Sequence, residues 1–132
     1  MRDDVQRIIA EVSSWDNIAA VPHRFGGVEF TLGDVEIGHV HNFGLVDIPF
    51  TRKIREQLVG QGDAEDHHIL PESGWISFYL GKTGDVEQAL RLFKISYIQK
   101  SKSRNRRDPQ RLADLNQMRD AMNLNDDLRQ LI

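Results

Sequence analysis

The chain contains no cysteine. That excludes disulfides, thiolate metal ligands and a cysteine nucleophile, leaving histidine and carboxylate chemistry. It also accords with a cytoplasmic setting. Apolar runs are short: none approaches the ~20 residues a membrane helix needs, and the N-terminus has no secretory apolar stretch, so no membrane partner is expected. A glycine-rich phosphate loop is missing, because Gly26-Gly27 and Gly60-Gln61-Gly62 lack the spacing. So is a serine elbow, since Ser73-Gly74 has no glycine two residues upstream. Internal repeats and long low-complexity tracts are absent as well.

What is present describes a small globular domain. A chain of 132 residues with 39% hydrophobic and 28% charged residues is long enough for one core. The net charge of −3 is uneven, with an acidic body (−6 over residues 1–99) and a basic end (+3 over residues 100–132). Val5, Ile8, Ile9 and Val12 recur at helical spacing. Residues 18–24 read as a strand, with Pro22 marking an edge or an end. Val28, Phe30 and Leu32 alternate as in a half-buried strand, and Gly33-Asp34 is a hairpin turn into a strand over 35–41. Residues 45–50 form a further strand. Thr51 caps a helix that Gly60 and Gly62 end, Trp75 to Leu80 reads as a central strand, and Asp85 with Gln88 opens another helix. Asp108-Pro109 starts a last helix striped with Leu112, Leu115, Met118 and Met122. The expected fold is therefore α+β: an antiparallel sheet of about five strands, helices packed on one face, and a C-terminal helical extension. Residues 1–98 are read as the domain, 99–107 as a basic linker and 108–132 as the helical segment.

The chemistry is expected to gather around the histidines, five in all and none in the tail. In the simple hairpin register Leu32 faces Val35, Phe30 faces Ile37, Val28 faces His39 and Gly26 faces His41. That register puts both histidines on the core face, with a hollow at Gly26. A buried imidazole needs a partner, and Asp47 is the nearest candidate. His39-x-His41 on one strand face is a spacing used by metal sites, with His23, Asp47, His67 and His68 as further candidates; zinc or iron would suit such a set. No cofactor is assumed from spacing alone. Of the adjacent pair His67-His68, at most one is expected to join, because neighbours on a strand point to opposite sides. Without a metal, the same residues form an imidazole–carboxylate cluster for acid–base work. The structural alternative keeps them as satisfied core residues. Lys100 to Arg107, with five positive charges, is the competing feature: a nucleic-acid or protein contact, or a solvated linker. The last helix is a candidate for homodimerisation.

Pro22-His23-Arg24-Phe25-Gly26-Gly27-Val28-Glu29-Phe30, Glu36-Ile37-Gly38-His39-Val40-His41, Asp47-Ile48-Pro49-Phe50, His67-His68-Ile69-Leu70-Pro71 and Ser73-Gly74-Trp75-Ile76 occur in an order that resembles the luciferase-type domain family. That family is named for fungal luciferases and includes many short prokaryotic proteins. The resemblance covers roughly residues 15–98. It implies a relationship to oxygenases that add dioxygen to a polyketide-derived luciferin without a bound organic cofactor; fold does not fix function. Combined with the residues themselves, it gives the expectation of a small-molecule site acting on an enol or phenol. There His39 and His41 serve as base or ligands and Asp47 orients one of them. Arg24 holds a substrate anion, and His23, His67, His68 and Trp75 line the site. A shorter likeness, Trp75 to Tyr97, is to the end of the double-wing family and implies a nucleic-acid module instead.

Overall fold

In a computed structural model the described residues are 2–23, 25–81 and 85–132. Helix α1 (Asp3–Ser13) leads into β1 (Ile18–Pro22), the hairpin β2 (Val28–Leu32) and β3 (Val35–Val40), and β4 (Leu45–Pro49). Helix α2 (Arg52–Gly60), the two-residue β5 (Glu65–Asp66) and β6 (Trp75–Tyr79) follow. Helices α3 (Val86–Arg104), α4 (Pro109–Ala121) and α5 (Asp126–Arg129) close the chain. The strands make one antiparallel sheet in the order β1-β2-β3-β4-β6-β5, six strands where about five were expected, the extra one being β5.

Local chemistry sets the helix ends. The side chains of Thr51, Asp85, Asp108 and Asn125 each accept a backbone N–H three residues on, satisfying donors a helix start leaves open. α1 turns Val5, Ile8 and Val12 inward, and α3 turns in Leu92, Phe93 and Ile98. Both lie on the same face of the sheet over Phe30, Val40, Val46, Ile48 and Phe78. Phe30 and Phe93 meet edge to face with centroids 5.3 Å apart. Beyond Leu92 the helix continues to Arg104, so most of the stretch expected as a linker, 99–107, is the end of α3; buried Ile98 and Ser101 hold those turns against the body. The C-terminal segment docks too, through buried Leu115, Leu124, Leu128 and Ile132.

The hairpin departs from the simple register. Leu32 pairs with Val35 and Thr31 with Glu36, but Phe30 then pairs with Gly38, Glu29 with His39 and Val28 with Val40. Ile37 is the extra residue of a β-bulge, which reverses the side-chain alternation beyond it. Its carbonyl accepts the Ser96 hydroxyl from α3 at 2.8 Å. Gly38 lies under α3, where a Cβ would come within 2.7 Å of the Phe93 ring and φ is +150°. The expected register, with His39 opposite Val28 and His41 opposite Gly26 on the core face, is thus corrected. Val40 takes the core side, and both histidines turn to the face without α1 and α3.

Candidate functional site

One row of directly paired residues crosses all six strands on that second face: Val21, Glu29, His39, Asp47, Ser77 and Glu65. Around its middle opens a cavity of about 570 Å³, within the size range of small-ligand sites. All five histidines line it, with Asp47, Glu29, Glu36, Trp75 and the apolar Pro22, Phe25, Ile69 and Leu70.

Asp47, 1% exposed, is the hub. Its Oδ1 accepts the Ser77 hydroxyl at 2.7 Å and faces His67 Nε2 at 3.5 Å. Its Oδ2 faces three imidazole nitrogens at once: His41 Nε2 at 3.0 Å and the Nε2 atoms of His39 and His68 at 3.3 Å. Three imidazoles on one carboxylate oxygen exceed its two lone pairs. Burial raises the Asp47 carboxyl pKa, but hydrogen bonds from His39, Ser77 and His41 outweigh it and hold the group below the usual carboxylate range. His39 is caught between two acids, since its Nδ1 meets Glu36 Oε2 at 2.7 Å. Burial lowers its pKa, but the bonds to Asp47 and Glu36 more than reverse that, to about 9.

The other two histidines play a different part. His67 Nδ1 accepts the backbone N–H groups of Ile69 and Leu70 at 3.1 and 3.0 Å. Neutral His67, its pKa lowered chiefly by burial, therefore carries its proton on Nε2, toward Asp47. His23 Nδ1 accepts the Phe25 N–H at 3.3 Å, and its ring stacks on His39 with centroids 3.9 Å apart. Burial, then the neighbouring His39 and His41, lower the His23 pKa.

The structure gathers His23, His39, His41, Asp47, His67, His68 and Trp75 in one place. Arg24 lies outside the described residues. The expectation that only one of His67 and His68 would join is corrected: they sit beyond β5 rather than in a strand, and both Nε2 atoms approach Asp47. Composition and spacing left Glu36 and Ser77 unmarked; the only available signal for Glu36 was its distance of three residues from His39.

Two overlapping groups, His39–His41–Asp47 and Asp47–His67–His68, bring ligand atoms within 4.8 Å of one another. They differ in what their second nitrogens do. The Glu36 carboxylate accepts from His39 Nδ1, so Nε2 is the atom that faces Asp47, and a metal binding there would have to displace the Nε2 proton, as in carboxylate–histidine–metal arrangements. His67 spends the lone pair of Nδ1 on backbone N–H groups, which leaves no free pair at Nε2.

The basic run lies elsewhere and is partly engaged. Lys100 reaches the Pro49 carbonyl and the Ser96 hydroxyl, Lys102 the Ile132 carbonyl, and Arg104 the Asp34 carboxylate. No helix among the described residues is long and apolar enough to cross a membrane. No curated protein and no solved structure matches the chain. Residues 34–96, from the hairpin turn into α3, match the family model described as Luciferase domain, a shorter span than the motifs suggested and one that leaves His23 outside. Over that segment the chain is similar to a luciferase domain.

Proposed function

We propose that the cavity is a metal-dependent active site for a small molecule, with His39, His41 and Asp47 as ligands and His68 as a fourth donor. One observation carries this reading: three Nε2 atoms converge on Asp47 Oδ2 while the far nitrogen of His39 is spent on Glu36. If His39 Nε2 keeps a lone pair, two electron-rich atoms face each other at 3.3 Å. A cation must intervene, either a second proton on His39 or a metal shared with its neighbours. Imidazole and carboxylate donors without thiolate suit iron or zinc, and two histidines with one carboxylate leave coordination positions open.

The reaction class rests on the family. An oxygen-dependent conversion of an enol or phenol is the form in which a luciferase domain and this donor set agree. A bound divalent ion would supply a Lewis-acidic position for the substrate's acidic oxygen or for dioxygen. The chain's own groups do the rest. Glu36 orients His39 and keeps its Nδ1 protonated, and Ser77 fixes the Asp47 carboxylate. His67 presents an N–H beside it, and Trp75 forms an apolar wall.

Elemental analysis of untagged protein tests the reading. Wild type, as purified or after anaerobic loading with Fe(II), Zn(II) or Mn(II), is expected to retain a single ion, and the His39→Ala/His41→Ala variant to lose it. Wild type that retains no metal after loading would refute the metal centre and leave acid–base catalysis by the same cluster. Oxygen uptake with a panel of phenols and enols then tests the reaction.

A further inference from the structure

We infer that the substrate of this site is an amphiphile: an acidic oxygen at the Asp47 floor, and an apolar body held at the mouth by Phe25 on one segment and Ile69 and Leu70 on another. The inference rests on the reading of the cavity as a small-molecule site and adds the substrate's class.

Among the described residues, the exposed large apolar side chains are Val21, Phe25, Phe43, Ile69 and Leu70. They are not scattered. Phe25 and Ile69, each 70% exposed, and Leu70, 49% exposed, line the cavity itself. Val21 stands in the same cross-strand row as His39 and Asp47, and Phe43 stacks on His41 with centroids 5.2 Å apart. Single exposed apolar residues are ordinary; a group of them around one polar cavity marks a binding surface.

The rim is also held in place. His23 Nδ1 takes the backbone N–H of Phe25, and His67 Nδ1 takes those of Ile69 and Leu70. The His23 ring rests on His39, and His67 Nε2 faces Asp47. The two histidines set apart from the metal ligands thus tie each apolar segment to the floor. Such anchoring lowers the ordering cost of binding. The occupant this geometry fits is one molecule that meets both zones, because rim and floor line a single cavity of about 570 Å³. A second copy or a membrane would cover the rim and leave the floor unmatched.

The experiment is calorimetric titration of the full chain, metal-loaded and metal-free, with 4-alkylphenols from methyl to heptyl. Each methylene reaching the rim is expected to tighten binding about two- to fourfold, the upper figure corresponding to complete burial. The slope is expected in both metal states, so a failure of the metal centre changes the head-group affinity and leaves the slope. A folded Phe25→Ser/Ile69→Ser/Leu70→Ser variant is expected to bind the short phenols and lose the chain-length dependence. A flat series in wild type overturns the proposal, with no variant needed. So does a slope that survives in the variant, or light scattering that finds a wild-type dimer dispersed by the rim substitutions.

Discussion

Around Asp47, donors and lone pairs are unequal in number, and that imbalance is the chemical core of the site. A buried carboxylate normally takes two or three hydrogen bonds and stops. Here four imidazoles and a hydroxyl approach it, and only their second partners tell them apart. Glu36 holds the Nδ1 proton of His39, so that Nε2 is the atom a metal could take by displacing its proton. The backbone of Ile69 and Leu70 occupies Nδ1 of His67 and keeps the proton of the neutral ring on Nε2. The distinction is measurable. Glu36→Gln keeps the size of the side chain but weakens its demand for the Nδ1 proton, and is expected to reduce Co(II) affinity about 10- to 100-fold. Glu29→Gln, in the same cavity but without that bond, is expected to change it less than about threefold. Equal effects would mean that overall negative charge, and not orientation of His39, supports the metal.

The bulge in β3 decides which face carries the histidines. One extra residue, Ile37, sends His39 and His41 away from the helices. Two features hold it there: the Ser96 hydroxyl on the Ile37 carbonyl, and the absence of a Cβ at Gly38 beneath Phe93. Ser96→Ala leaves a buried carbonyl short of a partner and is expected to cost about 1–3 kcal/mol. Gly38→Ala adds backbone strain and a clash, and is expected to cost roughly 2 kcal/mol or more. Urea titration reads both. A Gly38→Ala variant as stable as wild type would show that β3 can shift without penalty.

At the scale of the whole molecule, α3 ties the hairpin, the sheet and the C-terminal helices together, and Lys100 is a half-buried charge on it. Burial lowers the Lys100 pKa to about 8, only partly offset by Glu36. The unfolded chain keeps this proton up to the ordinary lysine range near 10.5. Between those values the unfolded state binds more protons, so this group makes stability rise with pH. Wild type is therefore expected to gain on Lys100→Met by up to about 3 kcal/mol between pH 8 and 10.5. Paired denaturant titrations across that window measure the gain. A constant difference would place the Lys100 ammonium in water.

Most of the elements were legible in the sequence because their causes are local. Alternation in Val28-Phe30-Leu32, the Gly33-Asp34 turn, and caps at Thr51, Asp85 and Asp108 each depend on residues a few positions apart. The approach of the histidines to Asp47 was half legible: their number and the nearness of Asp47 were visible, their convergence was not. Tertiary structure decided the rest. The face of the sheet depends on Ser96, 59 residues from the carbonyl it binds. The hold on Asp47 depends on Ser77, 30 residues away, and the joining of both His67 and His68 depends on the path of the chain beyond β5. Interactions between residues so far apart leave no period in a sequence, because the chain's return to the same point is set by packing.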